Sequence, residues 1–182
     1  VIYIHRKNLI ELLEVYHPDD SLEKKYKNQI LEFITNNQVI FGKENKTGHI
    51  TGSSWVTNNS KNKALLCYHR KLNKWLQLGG HSDEDENIFD TAIREAREES
   101  GLLSLKVLSE KIFDIDIHFI PGFGEENGHL HYDIRFIFEA DEKEDIIISN
   151  ESKDIAWVDL DNIKELNSSE SLIRMAEKTK NY

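Results

Sequence analysis

The sequence holds a single cysteine, Cys67, which excludes an internal disulfide and leads us to expect a reducing, cytoplasmic setting. Prolines are scarce: only Pro18 and Pro121 punctuate 182 residues, and no low-complexity or repetitive tract is present. No apolar run approaches the ~20 residues that a bilayer-spanning helix needs. The first ten residues carry His5, Arg6 and Lys7 and lack the apolar core of a secretion signal. Basic residues are also in deficit, 23 Lys and Arg against 33 Asp and Glu, for a net charge of -10. That balance argues against a nucleic-acid polymer as partner, since such surfaces cluster cations to displace counterions. It does not bar a small anionic ligand, because bound divalent cations invert the charge of a carboxylate site.

The remaining sequence divides into helical and extended stretches. In residues 6–36, Leu9, Ile10 and Leu13, then Leu22, Tyr26, Ile30, Phe33 and Ile34, recur at helical spacing and predict two short helices parted by Pro18-Asp19-Asp20. Strands are expected at 50–57 and 64–69, with a third short one at 74–78 ending at Gly79-Gly80. A helix follows over about 87–100, with Ile88, Ala92 and Ala96 as its buried stripe, Asn87 and Asp90 as a capping pair and Gly101 at its C-terminal cap. In 113–119 and 129–138 apolar residues alternate with polar ones, the pattern of strands with one buried and one polar-facing side. A last strand at 155–158 leads into two terminal helices. Strands split by one central helix and closed by terminal helices predict an α/β sandwich with a mixed sheet.

The central helix is chemically unusual. Glu95, Glu98 and Glu99 stand at i, i+3 and i+4, placing three carboxylates within about one third of the helix circumference. Each such like-charge pair destabilises a helix by roughly 0.2–0.5 kcal/mol, so a compensating charge is expected. A hard divalent cation with oxygen ligands would supply it, with Arg94 and Arg97 contributing.

Gly80, five residues, Glu86, seven residues, Arg94-Glu95-Ala96, one residue, Glu98-Glu99, one residue and Gly101-Leu102 together resemble the Nudix box, complete at its spacing. The resemblance to the Nudix hydrolase family (MutT-like) covers roughly residues 48–166. It implies a Nudix-type α/β/α sandwich over 47–182, preceded by the helical extension 1–46, which would cover the substrate pocket or build a homodimer interface. It implies Mg²⁺ or Mn²⁺ bound by Glu95, Glu98, Glu99 and the Gly79 carbonyl. Gly80, Glu86, Arg94 and Gly101 would be structural. The expected reaction is metal-dependent attack of water at phosphorus of a nucleoside-diphosphate-X substrate. Glu98 is first choice to orient that water, with Glu95 or the loop carboxylates Glu125 and Glu126 as alternatives.

The histidines are the remaining signal. If the strands on either side of the 121–128 loop pair antiparallel, one register sets His118 opposite His131, Asp116 opposite Asp133 and Asp114 opposite Arg135. Opposed carboxylates repel unless a proton, an arginine or a metal lies between them. His81, His118, His131, Asp116 and Asp133 are therefore candidate substrate or second-metal residues, alongside the plainer reading of a wet polar face. His5 and His17 are expected at the surface, and Cys67 in the core. Gly48-His49 and Gly80-His81 also resemble isopentenyl-diphosphate isomerases, which share the implied fold. That alternative carries a degenerate box and an active-site cysteine, and Cys67 is a poor candidate for one. A non-catalytic nucleotide-binding protein on the Nudix fold is the other alternative, disfavoured by the three retained glutamates.

Overall fold

The computed structural model describes residues 2–82, 87–122, 124, 127–167 and 169–182. Two helices lead, α1 (Ile2–Val15) and α2 (Ser21–Asn36). The Asp20 carboxylate accepts the Glu23 amide at 2.9 Å and starts α2, as a short polar side chain does at an N-cap. Leu9, Leu13, Ile30, Phe33 and Ile34 are buried in one cluster with the sheet residues Ile50, Ile134 and Phe136, so the leading helices share the core of the sheet. His5, expected at the surface, is half-buried, whereas His17 is exposed as expected.

Among the described residues, eight strands form a single mixed sheet: β1 (Gly48–Asn58), β2 (Lys63–His69), β3 (Lys74–Leu76), β4 (Leu78–His81), β5 (Lys106–Val107), β6 (Asp114–Ile120), β7 (His129–Ala140) and β8 (Ser152–Asp159). β1 is the axis. It runs parallel to β7 from Gly48↔Leu130 to Asn58↔Ala140. Its other edge pairs antiparallel with β4 near its start and with β2 near its end. β8 and β3 extend the sheet from β2; β6 and β5 extend it from β7. The expected third strand, 74–78, is in fact two. The chain switches partners at Gln77, from β2 to β1, so the glycine pair lies inside β4 instead of ending a strand.

Helix α3 (Ile88–Ser100) covers one face of the sheet. A Cβ at Gly52 would stand 2.8 Å from the Ile88 carbonyl oxygen, so a missing side chain on β1 is what admits the helix so closely. The Ser54 hydroxyl donates to the Ala92 carbonyl at 2.6 Å on the same face. Asn87 accepts the Asp90 amide at 2.9 Å to open α3, and Gly101 ends it at φ 72°, a left-handed conformation suited to glycine. The opposite face carries Trp55 and Ile137, packed under Leu172, Met175 and Ala176 of α5 (Glu170–Thr179), with a 3₁₀ turn at Leu160–Asn162 and α4 (Ile163–Leu166) beside them. The Trp55 indole donates to the Thr179 hydroxyl at 2.7 Å. The architecture is the expected α/β/α sandwich. No helix among the described residues is long and apolar enough to cross a membrane.

Candidate active site

Side chains alternate across a sheet, so strand registers determine which residues share a face. On the α5 side three rows form across β6, β7, β1 and β4. The first reads His118, His131, His49; the second Asp116, Asp133, Thr51, His81; the third Asp114, Arg135, Ser53, Gly79. The β6–β7 pairing expected from the spacing around the 121–128 loop is the one formed.

Arg135 resolves the repulsion among the opposed carboxylates. Its guanidinium reaches Asp133 at 2.7 Å and both Asp114 and Asp116 at 3.2 Å. At its Arg135 end this face is closed: Arg135 is 2% exposed and Asp114 is 0% exposed. Arg174 and Lys178 of α5 close over Asp114 at 2.8 Å each, and Lys178 also reaches Glu23 of α2 at 2.7 Å. Burial would raise the Asp116 carboxyl, but Arg135, His118 and Arg174 outweigh it and hold it at about 2. Asp114 is likewise held below its ordinary value by its arginine and lysine partners against the effect of burial. Asp133 has no oxygen to spare. One oxygen accepts from Thr51 (2.8 Å) and Ser53 (2.7 Å), the other from Arg135 (2.7 Å) and Gln77 (3.1 Å). Asp116 and Asp133, expected beside the histidines as ligands, are thus engaged in the arginine network, Asp116 with His118 at 3.2 Å as well.

The three glutamates of α3 differ sharply. Glu98 is 60% exposed and meets Arg94 at 3.1 Å; Glu95 is 14% exposed and meets the same guanidinium at 2.9 Å. Arg94 also donates to the His81 carbonyl at 2.9 Å, tying α3 to the end of β4. Glu99 is buried and accepts the Gly79 amide at 2.8 Å. A Cβ at Gly80 would come within 2.5–2.6 Å of the Glu95 carboxyl group, so this glycine makes room for it. Burial pushes the Glu99 carboxyl up to about 8; the Gly79 amide opposes this, and the charges of Glu95, Glu151 and Glu98 add to it. Burial raises Glu95 too, against the pull of Arg94. A cluster of hard oxygen donors whose charge is this poorly balanced fits a divalent cation of the Mg²⁺ or Mn²⁺ kind. Glu86, Glu125 and Glu126, expected to brace the loop or act as base, lie outside the described residues.

Beside this face, His49, His81, His129 and His131 bring one ring nitrogen each to within 4.8 Å of one another. Neither His129 nor His49 belongs to the set that residue spacing brings together. The parallel β1–β7 pairing, which sets His49 beside His131, leaves no trace in residue spacing. Burial and neighbouring positive charge depress the imidazoles, His49 to about 4, His81 to about 3 and His131 further still, so all three are neutral at pH 7.

Two adjoining clefts open here. One of about 440 Å³ is lined by Gly79, Gly80, Glu99, Gln77 and Arg135. The other, of about 520 Å³, is lined by His49 and His129 together with Lys43, Lys46, Arg70 and Lys71. His81, His131 and Lys71 line both. Cys67 borders the first, but its thiol is buried and pushed up to about 12 by that burial and by Glu99, which makes it inert as a nucleophile.

Compared with known proteins, residues 48–177 match the family model described as NUDIX domain. The chain is 33% identical over 119 residues to a protein of Lactococcus lactis subsp. cremoris named a probable DHNTP pyrophosphohydrolase, covering 64% of this chain and 68% of that one. A solved NUDIX-family hydrolase from Clostridium perfringens is 26% identical, with a TM-score of 0.54 over 73% of this chain and 97% of that one. The E. coli dihydroneopterin triphosphate pyrophosphohydrolase shares the fold, with a TM-score of 0.56 at 16% identity over 80% of this chain and 100% of that one.

Proposed function

The chain belongs to the Nudix family of hydrolases, and from that premise we propose that it cuts a diphosphate linkage of a nucleoside-diphosphate-X substrate with Mg²⁺ or Mn²⁺ held by Glu95, Glu98, Glu99 and the Gly79 carbonyl. The observation that carries this is Glu99, a buried carboxylate fixed by the Gly79 amide, with like charges around it and, among the described residues, no cationic side chain as hydrogen-bond partner. When bound, the cation supplies charge neutralisation for the diphosphate oxygens and lowers the pKa of coordinated water.

The chain's own groups then have separable tasks. Glu98 is the most exposed of the three glutamates and, among the described residues, is tethered only through Arg94; it orients the attacking water and takes its proton. Glu95 and the loop residues Glu125 and Glu126 are the alternatives for that role. Arg94 ties the end of β4 to α3 through the His81 carbonyl, the Nudix box assigns Glu86 to the same bracing role, and Gly101 ends the helix. Lys43, Lys46, Arg70 and Lys71 give the cleft rim positive charge suited to the phosphates of the substrate. A volume of about 440 Å³ suits a nucleotide-sized ligand. The naming of the Lactococcus relative makes a heterocyclic triphosphate a substrate to test first. We assign the catalytic unit to 47–182 and treat 1–46 as a helical extension packed on it.

The isomerase alternative needs a reactive thiol, and the buried, high-pKa Cys67 does not provide one. The test is a panel of nucleoside triphosphates, nucleotide sugars, dinucleoside polyphosphates, CDP-alcohols and dihydroneopterin triphosphate with Mg²⁺ and Mn²⁺, read by released phosphate or pyrophosphate. Glu98→Gln is expected to lower kcat by roughly 10²–10⁴-fold on the best substrate with the fold intact. Unchanged turnover in that variant would sink the assignment of the base.

A further inference from the structure

We propose that His49, His81, His129 and His131 form a second metal site, of all-nitrogen type and suited to Zn²⁺, distinct from the glutamate face and joining β1, β4 and β7. The four donors already lie within 4.8 Å of one another. In a tetrahedral zinc site with bonds of about 2.0–2.1 Å, ligand nitrogens stand about 3.3 Å apart. The His129 and His131 Nε2 atoms are 3.2 Å apart, so one edge of such a tetrahedron is in place. In the metal-free chain this pair can share one proton as an N–H···N hydrogen bond, and an ion would take the place of that proton.

A second observation is independent of that spacing. His49 is 2% exposed, and among the described residues neither of its ring nitrogens makes a full hydrogen bond, the Asn45 backbone being its nearest polar neighbour in effect. His81 Nε2 is buried and unpartnered in the same way. Buried polar groups are nearly always satisfied, and orphaned ones call for an explanation such as an ion. His49 and His81 rings are 4.7 Å apart between centroids, and His49 and His131 rings 4.9 Å apart, so the orphaned nitrogens belong to the same group.

The chemistry of the donors selects the ion. Imidazole suits Zn²⁺, Cu²⁺ and Ni²⁺, whereas Mg²⁺ takes oxygen. No carboxylate belongs to the set, and the nearby Asp116 and Asp133 are committed to Arg135. Lys43 and Lys46, at the rim of the same cleft, would favour an anion over a cation. An anion of phosphate size, however, needs room among its donors, whereas the four ring nitrogens lie within 4.8 Å of one another and two of them only 3.2 Å apart, a spacing that suits a single small cation. Four protein ligands close the coordination shell, as in structural zinc sites. The ion would therefore clamp β4, which carries the Gly79-Gly80 pair, to β1 and β7. The inference does not depend on which substrate the glutamate face handles.

The experiment uses the full chain stripped with EDTA. Zn²⁺ is titrated against a chromophoric chelator with excess Mg²⁺ present, Co²⁺ is added as a spectroscopic probe, and thermal melting is followed in parallel. One equivalent of Zn²⁺ per chain, an intense four-coordinate Co²⁺ spectrum and a raised Tm are expected. His129→Gln, at the half-buried rim, and His131→Gln should each weaken Zn²⁺ by more than the roughly 10–100-fold lost when an outer-shell partner is removed. Circular dichroism reports folding, and His129→Gln keeps the test decisive if the more buried His131→Gln fails to fold. The triple variant Glu95→Gln, Glu98→Gln, Glu99→Gln should keep the site. Zn²⁺ binding that survives in a folded histidine variant, or that disappears in the folded glutamate triple variant, would overturn the proposal. So would a weak six-coordinate Co²⁺ spectrum, or binding of inorganic phosphate to the stripped protein that the histidine variants abolish. Mg²⁺-dependent turnover is read separately, so the hydrolase reading and this one can fail independently.

Discussion

Replacing Glu99 with glutamine tests the electrostatic logic of the site at its most buried carboxylate. In the folded, metal-free chain burial and neighbouring carboxylates hold this group at about 8, against an ordinary value of 4.5. The unfolded chain returns it to the ordinary value. Between those two pH values the folded state binds more protons than the unfolded one, so metal-free stability falls as pH rises from about 4.5 to about 8. By pH 7 about 2.5 pH units of that window have been crossed at about 1.36 kcal/mol each, a loss of ~3 kcal/mol. Glutamine keeps an oxygen for the Gly79 amide and carries no charge. In EDTA, Glu99→Gln should therefore be ~3 kcal/mol more stable than the parent at pH 7 and no different near pH 4. Urea unfolding followed by tryptophan fluorescence at pH 4, 5.5 and 7 reads both limits. Mg²⁺ should stabilise the parent and narrow the gap, because it binds the native carboxylate form. Equal stabilities at pH 7, or a gap that does not change with pH, would refute the reasoning.

Arg135→Met should destabilise by about 3–5 kcal/mol in the same urea assay, because it leaves the buried Asp133 carboxylate without a cationic partner among the described residues, while Asp114 keeps Arg174 and Lys178; a change below 1 kcal/mol would mean that water or protons replace the guanidinium. Asp116→Asn works in the acid range. Asp116 is held at about 2 against an ordinary 3.8, so its contribution is full above about pH 4 and is lost as pH falls through 2. The variant should lose ~2 kcal/mol at pH 7 and match the parent near pH 1.5, measured by acid titration of the urea midpoint. Gly80→Ala should leave the circular dichroism spectrum unchanged and cut kcat by roughly 10-fold or more, since the new Cβ displaces the Glu95 carboxyl group; full activity would show that Glu95 has room to move.

Much of this site is written locally, and local patterns were readable. Helix α3 announces itself by its Ile88-Ala92-Ala96 stripe, its Asn87 cap and its Gly101 stop, all of which sit as expected. The β6–β7 register followed from alternation plus one connecting loop. What escaped depends on distant partners. Alternation says that two faces of a strand differ, not which is covered. A fully paired ionic face over Arg135 reads in sequence like a wet one until Arg174 and Lys178 arrive from α5. The histidine cluster needed the parallel β1–β7 pairing, which joins residues about eighty positions apart and which no turn chemistry specifies. The strand expected at 74–78 broke in two because its second half found β1.

The ionic group at Glu23 also bears on how the chain is made. Lys178 donates to both Glu23 and Asp114, and Tyr16 donates to Glu23, so the first helices, β6 and the last helix meet in one buried knot. Glu23 and Lys178 are 155 residues apart. At about 5–20 residues per second of synthesis, Glu23 leaves the ribosome roughly 8–30 s before its partner is made. During that interval a helix with a carboxylate on its inward side has no cation to meet. Docking of α1 and α2 must then be a late step, completed after α5 emerges, and a nascent chain arrested before residue 174 should show these helices open to protease.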